Sequence, residues 1–517
     1  MYSMKNLAKT GYIICLFLIL ALFCYFRVKP VYFQTVPYTF DQGRDFLKTQ
    51  EIVIDKQPAL LGPTTGIPGV NHGVWWYYFL TIPFFVTNGN PMGFYYFILL
   101  LALAQLVLFT VFLKKEFGKI ASLVFAALVA LGPYFIKTSI FAINSVLAPP
   151  ALLAFLYFYY KYTVKKDLRI LFLVGFSLSM VFEAEVAFGL FLYPSFFLAI
   201  LILKRLKDFL GTKKRFLYFV SGLLLPIAPR ILFELKSGFS QTQLVLKYFN
   251  ETSVQASKTY SEVFWERFHL LKDFFLQSFP GQIQFLMWST LCLIIIGIFF
   301  SFSNLKKLRK EFFLFTLILF VGLFVLSLLY KTVFWQNYFE GLPYFFVVFS
   351  ALSVSALLRS QKTVLKIIVY VYVVVLILSL GTTFAQELQN KESPKLEGLR
   401  EHMEVSKIIY ADSKNDELCI KVYTPPIIPH TYRYLFAYFE RIGKPKVKEA
   451  FINDSCYLIL EKDNCKFLPI EVNEMRECKS RQDRWKAIHV PKGSKLLKEI
   501  KPNDHVLIEK WRGKELP

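Results

Sequence analysis

The chain has 517 residues, is 55% hydrophobic and 19% charged, and has a mean hydropathy of +0.44 and a formal net charge of +23. Apolar runs this long and this numerous exclude an ordinary soluble globular protein and read as a polytopic membrane protein. The basic excess does not indicate a nucleic-acid surface, because it follows the loops between the apolar runs.

Residues 1–10 carry Lys5 and Lys9 and precede an apolar run from Gly11 to Phe26. Arg27 and Lys29 come next, where a secretory signal would have a small-residue cleavage site, so the run reads as an uncleaved first span. Further apolar runs at about 94–113, 120–136, 144–160, 168–182, 186–203, 216–233, 283–301, 312–330, 341–358 and 364–381 bring the expected spans to eleven. With the N-terminus in the cytoplasm, the inside segments hold 22 Lys and Arg against 4 acids. The outside segments before residue 382 hold 13 against 12. This asymmetry is the positive-inside signature. It predicts a polytopic domain over 1–381, with outside loops at 27–93 and 235–282, and an extracytoplasmic domain over 382–517.

The first outside loop contains the stretch Tyr38–Pro83. Asp41 and Asp45 are four apart with Arg44 beside them. On a helix this spacing puts both carboxylates on one face, where one can serve as general base to a hydroxyl; the competing reading is a solvated capping turn neutralised by Arg44. Gly62 to Gly73, rich in glycine and proline, predicts a tight irregular loop carrying His72. It matches no phosphate-loop pattern, and a plain re-entrant connector is the alternative. Trp75 to Phe85 is too short to span and reads as an interfacial aromatic belt, or as a wall for a lipid chain that includes Tyr77.

Glu183 and Glu185 lie in a short outside turn, FEAE, with no basic residue adjacent in sequence. Acids at a membrane face are costly without partners, so they are expected to line an aqueous cavity or bind a cation or sugar hydroxyls, unless they are simply exposed. Arg230, at the outer end of a span, offers a fork to a phosphate oxygen; an ion pair with Glu234 is the alternative. Asn337 and Tyr338 supply a further polar patch on the same side, as does the group Lys137, Ser139 and Asn144. The segment 235–282 carries Tyr260, Phe264, Phe268, Leu271 and Phe275 at helical spacing, which predicts an amphipathic surface helix. Residues 382–517 contain short strand-like runs at Leu418–Tyr423, Cys456–Leu460 and His505–Ile508 and a helical run at Tyr432–Ile442, predicting a small α/β domain. Its four cysteines, Cys419, Cys456, Cys465 and Cys478, permit disulfides with three possible pairings. Cys15, Cys24 and Cys292 lie in apolar runs as small hydrophobes.

Tyr-x-x-Asp-Gln-x-Arg-Asp, then Gly-Pro-Thr and His-Gly-x-x-Tyr-Tyr in the first loop, together with PRILFELKSGF, QNYFEGLPYFF and VYTPPIIPHTYRYLF, resemble the polytopic glycosyltransferases of the GT-C fold. The likeness is to the bacterial family 39-like group, relatives of protein O-mannosyltransferases and of the lipid A aminoarabinose transferase, and it covers most of the chain. It implies a membrane all-α, GT-C-like bundle of about eleven transmembrane helices with a small extracytoplasmic α/β C-terminal domain, in the plasma (inner) membrane. It also implies inverting transfer of a sugar from a polyprenyl-phosphate donor to a lipid, glycan or protein acceptor. The family's catalytic acid falls on Asp41, with Asp45 beside it, and Arg44, His72 and Arg230 are the candidates for the leaving phosphate. Many relatives have a second acid close by, where this chain has Gln42. Glu183 or Glu185 is expected to supply it, and the two are the candidate ligands of a divalent cation, Mg or Mn. The competing class is a membrane transporter or flippase for glycolipid or polyprenyl-linked substrates. It would show polar groups at mid-membrane, whereas here they gather at one face.

Overall fold

The structure is a computed structural model that describes residues 2–67, 69–252, 258–280, 284–331, 334–389, 398–413, 417–425, 428–448, 455–462 and 474–513. It divides into two compact units. One comprises Met1–Lys29, Ala59–Tyr78 and Tyr96–Lys391, the other Pro30–Pro58, Phe79–Tyr95 and Glu392–Pro517. The first loop of the sequence is therefore shared between them.

The first unit is helical. Each of the eleven apolar runs contains a helix. Among the described residues six helices are long and apolar enough to cross a membrane: Lys9–Tyr32, Pro91–Glu116, Lys213–Lys236, Lys307–Ser327, Gln336–Leu358 and Thr363–Gln386. Helices such as Lys119–Leu131 and Val186–Ile202 are shorter. Side chains such as Phe17, Leu108 and Phe299 stand 69–75% exposed, as lipid-facing positions do. The chain is a membrane protein. Pro343–Leu358 forms its central helix, buried from Pro343 to Leu357. Two of its serines are satisfied there: Ser350 donates to the Phe346 carbonyl at 2.8 Å and Ser355 to the Phe117 carbonyl at 2.6 Å.

The first helix runs past its apolar segment to Tyr32 and holds Arg27 fully buried. The guanidinium is tolerated because it finds acceptors. It donates to the carbonyls of Ala130 at 2.7 Å and Val129 at 2.9 Å, at the C-terminal end of Lys119–Leu131, and to Ser139 Oγ at 2.7 Å. Those carbonyls belong to the last turn of a helix, which has no intrahelical donors for them.

The second unit is a five-stranded sheet with helices on it. The strands are β1 (Glu417–Tyr423), β2 (Lys446–Lys448), β3 (Ser455–Glu461), β4 (Lys495–Ile500) and β5 (Val506–Arg512), in the order β2-β1-β3-β5-β4. The pairs β1–β2 and β1–β3 are parallel, and β3–β5 and β4–β5 antiparallel. Leu418, Ile420, Tyr457, Ile459 and Ile508 face Val405 and Ile409 of the helix Leu399–Asp412 and Tyr432 and Phe436 of the helix His430–Arg441. Cys419, Cys456, Leu458 and Leu460 form the other core, against Trp485 and Trp511. Cys419 and Cys456 lie side by side on β1 and β3 and are disulfide-bonded, with Cα atoms 4.6 Å apart. Cys465 and the side chain of Cys478 lie outside the described residues.

The helix Phe40–Val53 packs on His430–Arg441. Gly43 touches the backbone of His430 and Thr431, an approach that any Cβ would block. Tyr38 donates to the Thr431 carbonyl at 3.0 Å, and Phe46 stacks on Phe94 at 3.9 Å.

Candidate active site

Within the second unit, Thr39 starts the helix that carries Asp41. Its N–H and hydroxyl both donate to Gln42 Oε1, at 2.7 and 2.6 Å, a capping box that fixes the first turn. Asp41 sits in that turn, where the helix dipole favours an anion. Arg44 holds both acids: Nη1 is 3.0 Å from Asp41 Oδ1, and Nη2 is 2.9 Å from Asp45 Oδ1. The two acids do not enter one cavity, as the i, i+4 spacing had led us to expect. Asp45 is fully buried under Arg44, whereas the Asp41 side chain is 52% exposed and lines a cavity. One carboxylate is available for chemistry, and the other fixes the arginine.

The cavity has a volume of about 260 Å³ and is bounded by Asp41, Phe40, His402, Thr424, Thr431 and Glu461, among others. His402 and Glu461 are buried, with Nε2 and Oε1 3.4 Å apart. His402 Nδ1 is 2.9 Å from the Gly398 carbonyl, which requires Nδ1 to carry a proton. A neutral ring would then turn its Nε2 lone pair toward a carboxylate, so the imidazolium fits the geometry. Burial opposes that charge, but the bond and field of Glu461 outweigh it and raise the His402 pKa above its usual value.

Within the first unit, the loop Ala59–Val74 is a compact knot. Gly62 N–H donates to the His72 carbonyl at 3.0 Å, His72 N–H to the Pro63 carbonyl at 2.7 Å, and Asn71 Nδ2 to the Gly62 carbonyl at 2.9 Å. Gly73 N–H donates to the Glu183 carbonyl at 2.8 Å, and a Cβ at Gly73 would collide with the Glu183 side chain. Glu183 has a basic neighbour after all, supplied from 47 residues away: Arg230 Nε is 3.0 Å from Glu183 Oε1. Arg230 Nη1 donates to the Asn71 carbonyl at 2.9 Å, while its buried Nη2 has no hydrogen-bond partner among the described residues. The expected alternative, an Arg230–Glu234 pair, does not form. Glu234 instead accepts from Gln241 N–H at 3.1 Å and the Thr242 hydroxyl at 3.0 Å. His72 is buried, with Nδ1 3.5 Å from the Val186 N–H.

Glu185 is buried and borders an apolar cavity of about 380 Å³, with Thr65, Phe191, Leu326 and Tyr338. Tyr338 thus reaches a cavity, whereas Asn337 is exposed on the turn Gln336–Phe339 and Tyr77 is buried in the helix Trp75–Thr87. For a divalent cation the donor set is poor. Glu183 is already bound by Arg230, and among the described residues no three His, Cys, Asp or Glu side chains converge.

Sequence reasoning missed four groups. Gln241 ties the first loop to a distant helix, donating to the Gly69 carbonyl at 2.8 Å and Asn71 Oδ1 at 3.0 Å. His402, Thr424 and Glu461 share the Asp41 cavity. No local pattern marks any of them. The only available signal was charge beside strand-like runs.

No family model and no curated protein matches the sequence. Among solved structures, the chain is similar to ArnT from Cupriavidus metallidurans bound to undecaprenyl phosphate, with a TM-score of 0.59, 8% identity, and 97% of this chain and 98% of that chain covered. The same protein in the apo state gives a TM-score of 0.58 over the same shares. Over nearly its whole length, this chain has the GT-C fold of ArnT.

Proposed function

We propose that the protein is a glycosyltransferase that moves a sugar from a polyprenyl-phosphate donor to a hydroxyl acceptor on the extracytoplasmic face of the plasma (inner) membrane, inverting the anomeric centre. The observation that carries this reading is the fold likeness, end to end, to a protein whose structure holds undecaprenyl phosphate. In the proposed step Asp41 takes the acceptor proton, the acceptor oxygen bonds to the anomeric carbon, and the bond from that carbon to the phosphate oxygen breaks. The polyprenyl phosphate departs with the electron pair. Phosphate is a good leaving group, so no acid is needed to protonate it. Asp41 suits the base role by its exposure and its place on a cavity. Asp45 supports it by holding Arg44.

The phosphate role in this proposal falls, by the family resemblance, on Arg44, His72 and Arg230, and the apolar cavity bordered by Glu185 and Tyr338 in the first unit suits an isoprenoid chain. The eleven-span count, the cytoplasmic N-terminus and the outward C-terminal unit are part of the same reading. The loop charge asymmetry supports them, as does the Cys419–Cys456 disulfide, which suits an oxidising compartment.

The test is mass spectrometry of envelope lipids and glycans from a deletion strain complemented with wild type or with Asp41→Asn. We expect one glycan to lose a single sugar in both the deletion and the variant, with the variant expressed normally. Full restoration by Asp41→Asn would remove Asp41 from the mechanism. Lipid movement in liposomes without sugar transfer would favour the transporter class.

A further inference from the structure

We propose that the cavity bounded by Asp41, His402, Thr424, Thr431 and Glu461 is a saccharide-binding site, taking the acceptor as a neutral or amino sugar ring and excluding phosphate. That it is the acceptor side rests on the reading of Asp41 as the base; the ligand class rests on the cavity alone.

The chemistry of the wall decides the class. Two carboxylates, Asp41 and Glu461, face the space, and no Lys or Arg is among the described residues that line it. Arg44 pairs with Asp41 from outside the lining, so phosphate in the space itself would meet two carboxylates and a single imidazolium, whereas hydroxyl or ammonium donors would meet acceptors. Glu461 is 3% exposed, and its Oε2 accepts the Thr424 hydroxyl. Among the described residues its Oε1 meets only His402 Nε2, at the long distance of 3.4 Å. A buried carboxylate oxygen with only that one long contact keeps a lone pair that a ligand hydroxyl at the cavity wall can use. Phe40 at the same wall offers an apolar ring face. The volume of about 260 Å³ is roughly that of eight or nine liquid waters, enough for one sugar ring and too little for a folded peptide.

The site is also rigidly held. Glu461 ends β3, in register with Val506 of β5. His402 is fixed by the Gly398 carbonyl and lies edge-on to Tyr38 at 5.4 Å. A fixed set of acceptors can select one ring hydroxyl pattern over another.

The test uses the full chain in lipid nanodiscs, because glycosidic detergents would themselves compete. Saturation-transfer NMR is recorded with methyl α-mannoside, methyl β-glucoside and methyl β-glucosaminide, and with inorganic phosphate as competitor. At least one glycoside is expected to bind, and binding should weaken about tenfold in Glu461→Gln and in Thr424→Val, the cost of one hydrogen bond to a charged group. Phosphate should not displace it. An unchanged unfolding transition of Thr424→Val, which leaves the His402–Glu461 pair intact, shows that the loss is local. An octyl glycoside of the same sugar separates the sources: tighter binding marks a lipid-borne saccharide and equal binding a soluble one, and both keep the site. Binding by no glycoside, equal binding in both variants, or displacement by phosphate overturns it. If sugar transfer stops in Asp41→Asn while the Glu461 and Thr424 variants behave as wild type, this site falls and the glycosyltransferase reading stands. If glycosides bind but Asp41→Asn transfers normally, the reverse holds.

Discussion

Arg230 Nε lies 3.0 Å from Glu183 Oε1, joining an arginine that is 13% exposed to a glutamate that is 1% exposed. Removing one partner of such a pair strands the other. Arg230→Ala should therefore destabilise the protein by about 3–5 kcal/mol as well as abolish transfer. Glu183→Gln with Arg230→Met should regain most of that stability and none of the activity. Thermal unfolding in nanodiscs beside a transfer assay separates the two effects; a double variant with wild-type turnover would show that neither group handles phosphate.

Asp41 and Asp45 should respond differently. Asp41→Asn keeps its shape and its place at the surface, so we expect normal stability and transfer reduced by about 10²–10⁴-fold. Asp45→Asn leaves Arg44 without its buried anion, and the expected loss is in folding, at about 1–3 kcal/mol. If both variants melt early, the division of labour is wrong.

The pair His402–Glu461 makes the second unit sensitive to pH. The His402 pKa is raised above its ordinary value of 6.5: burial works against the charged ring, but its bond to Glu461 and the nearby Glu401 more than compensate. A group raised on folding contributes its full stability below its unfolded value and loses it as pH rises through its folded one. Hydrogen exchange over residues 398–512 should therefore quicken as the pH is taken from 6 upward to alkaline values (about one decade of protection per 1.4 kcal/mol). The slope should flatten in His402→Gln. An identical slope in the variant would assign the effect elsewhere.

Cys419 and Cys456 close a loop with a sequence separation of 37. Replacing both with serine should cost the second unit about 2–4 kcal/mol. Non-reducing peptide mapping should recover the Cys419–Cys456 peptide pair; recovery of both as free alkylated thiols in protein from native membranes would refute it.

What the sequence disclosed and what it hid follow a physical division. β1, β3 and β5 were legible because buried strands are written in consecutive apolar residues, as in Leu418–Ile420 and Cys456–Leu460. β2 and β4 were not, because the short or strongly polar edge strands Lys446–Lys448 and Lys495–Ile500 set only Val447 and Ile500 against the sheet's core, too little apolar signal to read. The first turn of the Asp41 helix showed in its charges, but the i, i+4 rule did not foresee that Arg44 would separate one acid for burial and leave the other at a cavity. Arg230 and Glu183, and likewise His402 and Glu461, are far apart in the chain, and only folding pairs them. Local pattern can nominate such residues singly and cannot match them.

Arg27 bears on how the protein is made. Its acceptors, the carbonyls of Val129 and Ala130, are about a hundred residues downstream, so they do not exist when the ribosome delivers the first helix. Until then the guanidinium has the Phe23 carbonyl and ring of its own helix, and otherwise water and lipid headgroups. The first helix therefore completes its set of partners only when the Lys119–Leu131 helix arrives. Membrane entry of the N-terminus is in that sense a step of tertiary assembly.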